Sequence, residues 1–272
     1  MGSRGYPQLA AMYKGGIILK TPAQVEAMAL AGEVHARCLR MLIGNCRPGV
    51  TTAELDEAAE RFIRSQGAEP TFKGYRGFPG SICASPNSMV VHGIPDAYAL
   101  KRGDVLSIDV GITKDGWVAD GAVTVPIGEV SDEATRLLAA TDASLHAGVA
   151  AAQPGGRLGD VSSAVQETVE AEGFSVIRSL VGHGVGRDMH EDPQVPNFGT
   201  AGRGPELEPG MVFALEPMTA AGSREVATGS DGWAVYSADD SLTAHFEFTI
   251  AVTAEGPRVL TPWHLSKDRV AA

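Results

Sequence analysis

Two stretches of the chain repeat one another. Residues 48–67 (PGVTTAELDEAAERFIRSQG) and 154–173 (PGGRLGDVSSAVQETVEAEG) align without a gap at an offset of 106 residues. Both open on Pro-Gly, both then set an acid before an aliphatic residue (Glu54-Leu55, Asp160-Val161), and both close on Gly. Each reads as a helix. In the first copy Leu55, Ala58, Ala59, Phe62 and Ile63 recur at helical spacing and make one apolar stripe. Gly67 and Gly173 fall where a helix C-cap favours positive φ. A further helical stretch precedes each copy, at roughly 21–44 and 131–152. The expectation is two structurally related halves, each with two helices and several strands, in an α/β (α+β) chain.

Strand-like runs fill the remainder, at 89–92, 105–112, 117–127, 175–181, 211–218, 232–236, 244–253 and 257–260, with Pro and Gly turns between them. Residues 197–210 read as a loop. No low-complexity tract or linker divides the 272 residues, so the halves are expected to pack as one body with a site between them. Apolar residues make up 44% of the chain, enough for a core. The net charge of −11 argues against a nucleic-acid or acidic-membrane surface. No run of 18 apolar residues offers a membrane span, and the start, MGSRGYPQLAAMYKGG, shows no secretory apolar region. Three cysteines, Cys38, Cys46 and Cys83, have no metal-type pair spacing, which suits a reduced, cytoplasmic setting.

Chemistry enters through carboxylates in apolar company. Asp109 lies in VLSIDV, Asp120 in WVADGAVTV, Glu216 in MVFALEPM and Glu247 in HFEFTIAV. A buried unpaired charge costs several kcal/mol, so four such groups call for a shared cation. With His183, in VGHGVG, they make a donor set suited to a dinuclear centre of Mn, Fe, Co or Zn that activates a water. Asp115-Gly116 is a two-residue hairpin signal. That turn sets Lys114 opposite Trp117 and Asp109 opposite Ala122, with Asp120 diagonal to Asp109 on one face. Each residue alone has a plainer reading. The aspartates fit a solvated hairpin pair, the glutamates fit an edge strand, and His183 fits a phosphate loop or a structural imidazole. His92 fits a buried neutral imidazole, and His190 a surface side chain or a donor behind the ligands. The five together favour a site.

The chain resembles a type I methionine aminopeptidase from about residue 18 to 265. The resemblance is carried by GSICASPNSMVVHGIP (80–95), LSIDVGITKDGWVADGAVTVPIG (106–128), GHGVGRDMHEDPQVPNFG (182–199), PGMVFALEPM (209–218) and DGWAVYSADDSLTAHFEFTIAVT (231–253). The order Asp, Asp, His, Glu, Glu, with the aspartates eleven and the glutamates 31 positions apart, is that family's ligand pattern.

The resemblance implies a pita-bread fold with a pseudo-two-fold axis and antiparallel sheet flanked by helices. Its halves would be 18–128 and 129–265, with an N-terminal arm at 1–17 and a tail at 266–272. It implies two divalent ions (Mn, Fe, Co, Zn or Ni), bridged by Asp120 and Glu247, with His183 and Glu216 on one ion and Asp109 on the other. It sets His92 and His190 beside the scissile amide and makes Glu216 the proton carrier. Tyr75, Phe78, Cys83, Met189 and Trp233 would line the methionine pocket. The implied reaction is removal of an initiator methionine before a small second residue, by attack of a metal-bridging hydroxide. The implied partners are nascent polypeptide N-termini, with transient ribosome association, and the implied state is a monomer. Arg76, Gly111, Gly121 and Met189 depart from the usual pattern, where a His, two Thr and an aromatic are common. The absence of a long N-terminal domain argues against the related Xaa-Pro peptidases. The lack of a large insertion separates it from the type II form.

Overall fold

The computed structural model describes residues 16–264, so the expected arm is outside it except for Gly16 and Ile17, and the tail is wholly outside. The first half begins with α1 (Pro22–Asn45) and α2 (Thr52–Ser65). Thr21 and Gln24 form a capping box at the start of α1, and Thr51 and Glu54 form one at α2. Then come β1 (Glu69–Pro70), β2 (Cys83–Pro86), β3 (Met89–Val91), β4 (Val105–Lys114) and β5 (Trp117–Pro126). β4 and β5 form one unbroken antiparallel hairpin. Its turn residues Asp115 and Gly116 both have positive φ, 51° and 73°, which matches the twist of the strands. The register has Lys114 opposite Trp117 and Asp109 opposite Ala122, as the turn chemistry predicts. β2 and β1 pair along the other edge of β4.

The second half has α3 (Asp132–Ala151) and α4 (Leu158–Ala171). The repeat is now physical: α2 and α4 begin at 52 and 158 and end at 65 and 171, both 106 residues apart. Glu54 accepts from the Thr51 amide, and Asp160 accepts from the Arg157 amide at the matching place. Gly67 and Gly173 have the expected positive φ, 63° and 82°. In α2 the stripe Leu55, Ala59 and Ile63 is fully buried; in α4 Val161, Val165 and Val169 are. Burying each leucine, isoleucine or valine of these stripes contributes roughly 1.5–3 kcal/mol.

Ten strands complete this half: β6 (Ser175–Val176), β7 (Gly182–Gly184), β8 (Glu191–Val195), β9 (Val212–Leu215), β10 (Met218–Ala220), β11 (Val226–Thr228), β12 (Val235–Ser237), β13 (Thr243–His245), β14 (Phe248–Thr253) and β15 (Gly256–Val259). Five of them form a sheet in the order β15-β14-β9-β7-β8. β13-β10-β6 is a separate small sheet, and β11-β12 pairs with β3 of the first half.

Three expected strands differ. The run 211–218 breaks into β9 and β10 at Glu216-Pro217, because Pro has no N–H with which to continue a ladder. The run 244–253 breaks at Phe246-Glu247, where the Glu247 amide turns to Ala122 O of β5. The run 175–181 shrinks to two residues, since its partner β10 is only three long. β1, β2, β7, β8 and β11 were not foreseen; they are short and carry no clear alternation.

The halves meet where β5 faces residues 245–249. The Thr124 hydroxyl accepts from His245 N (2.8 Å) and donates to His245 O (3.0 Å). Ala122 O accepts from Glu247 N (2.9 Å). The Thr249 hydroxyl accepts from Asp120 N (3.0 Å) and donates to Asp120 O (2.8 Å). Two threonine side chains thus replace ladder bonds across the seam and hold Asp120 and Glu247 side by side.

Candidate metal centre

The alternation of β4 and β5 aims Asp109 and Asp120 to one face, and β2 sets Cys83 beside Asp109 in register. Space behind this face is filled. A Cβ on Gly111 would meet Phe72 Cε1 at 2.6 Å, and one on Gly121 would meet His35 Cε1 at 2.7 Å. These neighbours account for two of the departures from the common pattern: Phe72 and His35 occupy the room that threonines would need. His35 Nε2 also bonds to Gly121 O at 3.1 Å, next to Asp120.

The glutamates arrive differently. Glu216 leaves the end of β9, and its carbonyl accepts from Asn197 Nδ2 at 2.8 Å. Glu247 occupies the gap between β13 and β14, and its carbonyl accepts from Trp263 Nε1 at 3.0 Å. His183, in the middle of β7, bonds through Nδ1 to Gly184 O at 2.9 Å, which turns Nε2 to the carboxylates. Nε2 lies 3.6 Å from Glu216 Oε1 and 3.7 Å from Asp120 Oδ2. All five expected residues therefore converge on one floor.

That floor fits cations. Asp120, His183 and Glu247 offer three ligand atoms within 4.8 Å of one another, and so do Glu216, His245 and Glu247. Asp109 Oδ1 and Glu247 Oε1 are buried with no hydrogen-bond partner among the described residues. Burial pushes the Asp109 carboxyl up to about 7, with Glu216 adding repulsion and His245 opposing it. Glu216 is likewise pushed up to about 7 by burial, against the pull of His183. Asp120 and Glu247 are held well above the carboxylate range by burial and by their acidic neighbours. Four acids that resist ionisation beside each other are a set that positive charge would relieve.

The floor closes a cavity of about 640 Å³. Its wall includes Tyr75, Phe78, Cys83, Met189 and Trp233, all expected from the resemblance, together with His92 and His190. Phe78 and Trp233 meet edge to face at 5.1 Å. His92 lines the cavity at a positive φ of 61°, and burial of its ring there, then His245, hold it below the usual imidazole range at about 4. Tyr75 hydroxyl lies 2.9 Å from His190 Nδ1, and the His190 ring lies 4.2 Å from that of His183. Burial, then His183, Arg76 and His92, hold His190 well below the usual imidazole range and so neutral. Arg76 takes a left-handed φ of 52° and is exposed, with its guanidinium over the Tyr75 ring at the cavity's rim.

Sequence reasoning missed Phe72, Leu180, Met218 and, most notably, His245 on this lining. A signal for His245 was present: it precedes Glu247 by two, the spacing of one strand face.

Comparison with known proteins agrees with this geometry. The profile of metallopeptidase family M24 matches residues 26–254. The chain is 51% identical to methionine aminopeptidase 1 of Bacillus subtilis over 245 residues, covering 90% of this chain and 99% of that one. It is 46% identical to methionine aminopeptidase 1 of Mycobacterium tuberculosis, covering 89% and 94%. A crystal structure of methionine aminopeptidase from Thermotoga maritima superposes with a TM-score of 0.89 at 42% identity, covering 90% and 99%. Family profile, sequence relatives and pita-bread architecture converge, and the chain belongs to metallopeptidase family M24, among its methionine aminopeptidases.

Proposed function

We propose that this chain is a metal-dependent methionyl aminopeptidase that removes the initiator methionine from polypeptides with a small second residue. One observation carries the reading: four carboxylates and His183 gather at the closed end of a cavity walled by Tyr75, Phe78, Met189 and Trp233. A polar, cation-holding floor under an apolar wall suits a substrate with a charged amine and a thioether side chain.

Asp120 and Glu247 would bridge two divalent ions, His183 and Glu216 would hold one, and Asp109 the other. Bound there, such ions supply Lewis acidity and a water acidic enough to ionise near neutrality. Glu216 takes the proton of the attacking water on a carboxylate oxygen and passes it to the leaving amine. His190, with Nδ1 accepting from Tyr75, carries its proton on Nε2 and donates a hydrogen bond from it to the scissile carbonyl oxygen as charge develops there. His92 positions the amide nitrogen from the opposite wall. On this reading the wall takes up the methionine side chain, and a small residue such as Ala, Gly or Ser is favoured next.

Residues 18–265 act on this reading as one catalytic unit, monomeric and cytoplasmic, with nascent chains at the ribosome as substrates. Among the described residues no helix is long and apolar enough to cross a membrane. The test is stripping with a chelator followed by stepwise return of Mn, Fe, Co, Zn and Ni. Cleavage of a Met-Ala peptide should vanish and return, Met-Phe should be cut poorly, and Ala-Pro should stay intact. Full Met-Ala cleavage in a metal-free sample would overturn the reading.

A further inference from the structure

His245 is the histidine on the acidic floor to which neither the spacing argument nor the resemblance gives a role. It ends β13 and is 2% exposed. Its Nε2 lies 3.6 Å from Glu216 Oε2 and 3.8 Å from Glu247 Oε2. His183 stands to Glu216 Oε1 and Asp120 Oδ2 at 3.6 and 3.7 Å. Glu216 thus turns one oxygen to each imidazole, and the two histidines flank it in matching fashion. These separations are too long for hydrogen bonds. They are close to what an intervening ion requires, since ligand atoms bonded at ~2.0–2.2 Å stand roughly 3–3.5 Å apart around it.

Two further facts point the same way. Neither ring nitrogen of His245 has a hydrogen-bond partner among the described residues, although the ring is buried. A native structure seldom leaves such a group unused. The Thr124 hydroxyl bonds both the amide and the carbonyl of His245, so the ring's place facing the floor is fixed by the seam between the halves.

We propose that His245 Nε2 is a sixth protein ligand, joining Glu216 and Glu247 around one of the two ions. The inference rests on the dinuclear reading above. Glu216, with Oε1 toward His183 and Oε2 toward His245, would then reach both ions and not only the one shared with His183, so that each ion has one imidazole. Imidazole suits Zn, Co and Ni better than Mg or Ca, so both positions become selective for later transition metals.

The experiment uses stripped wild-type protein titrated with Co(II) alone, followed by calorimetry and by metal analysis after gel filtration. Wild type should take up two ions. His245→Ala and His245→Gln should keep one tight ion and bind the second ~10²-fold more weakly or not at all, because loss of a direct ligand should cost no less than loss of a group behind one. Added imidazole should restore part of the second site in His245→Ala, which a purely structural role would not allow. His92→Ala, at a cavity histidine outside both clusters of ligand atoms, should retain both ions. Two ions bound with unaltered affinity by a folded His245 variant would overturn the proposal and leave the dinuclear reading intact. No ion bound by wild type would instead overturn the dinuclear reading. A measurement without substitutions decides the matter if the variants do not fold: Co(II)-loaded wild type with labelled histidines should show two metal-shifted imidazoles, and a single one rejects His245 as a ligand.

Discussion

The aspartates and the glutamates reach the same floor by opposite means. Asp109 and Asp120 ride on one continuous hairpin, whose turn at Asp115-Gly116 sets every pairing from Lys114–Trp117 outward. Glu216 and Glu247 sit where strands stop, between β9 and β10 and between β13 and β14. Their backbones are held by partners far away in sequence: Asn197 and Trp263 for the carbonyls, Ala122 for the Glu247 amide. An unbroken ladder fixes side-chain direction by period alone. A break frees a residue to aim elsewhere, and something else must then hold it. The hairpin is a rigid half-site, and the breaks are an assembled one.

The sharpest way to break that comparison is to remove one carboxylate from each side. Asp120→Ala and Glu247→Ala should behave alike, losing bound metal and lowering kcat/KM by more than the ~10²–10³ typical of one lost oriented donor. Metal analysis and Met-Ala hydrolysis check this. If either variant keeps two ions and near-normal turnover, that residue does not bridge.

Glu216→Gln keeps the shape and an oxygen at the break but removes the proton carrier. We expect kcat to fall ~10²–10⁴-fold with metal content nearly unchanged. An unchanged kcat would strip Glu216 of its role in proton transfer. His190→Ala should cost ~10²–10³ in kcat and leave the metals in place. A variant that loses its ions would make His190 a ligand.

The crowding of acids is expected to show in the pH dependence of the chelated protein. Asp109 and Glu216, with ordinary values of 3.8 and 4.5, are pushed up to about 7 in the fold. Groups with raised folded values contribute stability that is present below the unfolded values and lost as pH rises through the folded ones. The Tm of the chelated protein should therefore fall between about pH 4 and 7 through this contribution, and metal should remove the fall. Identical profiles with and without metal would contradict the placement of these acids at a cation site.

Smaller effects separate the rigid half from the assembled one. Gly121→Ala drives a Cβ toward His35 Cε1, and overpacking of this kind costs ~1–3 kcal/mol. Asn197→Ala removes one bond to Glu216 O, worth ~1 kcal/mol. The first should lower the Tm more, and the second should weaken metal binding more than its small Tm change suggests. Equal metal affinity in wild type and Asn197→Ala would show that the break at Glu216 holds itself.

How much was legible follows the same division. The duplicated helices, their C-terminal glycines and the hairpin register were all readable, because each depends on residues within about one turn or one strand. The four acids of the candidate ligand set were readable as misfits in apolar runs, and His183 by its glycine-rich surroundings. The breaks after Leu215 and His245 were not foreseen, although Pro217 was a signal for the first. In the sequence His245 is marked only by its two-residue spacing from Glu247. The departures at Gly111 and Gly121 made no sense until Phe72 and His35, distant in sequence, were seen to fill the space beside them.

The sequence by itself determined the halves, the hairpin and the donor set, since short-range periodicity, turn chemistry and the cost of burying charge act locally. Only the tertiary structure decided which of these side chains stand together. The seam at Thr124, Ala122 and Thr249 sets the two halves in register, and that register brings Glu247 beside Asp120 and turns His245 onto the same floor. Contacts between residues more than 120 positions apart leave no local trace in either segment.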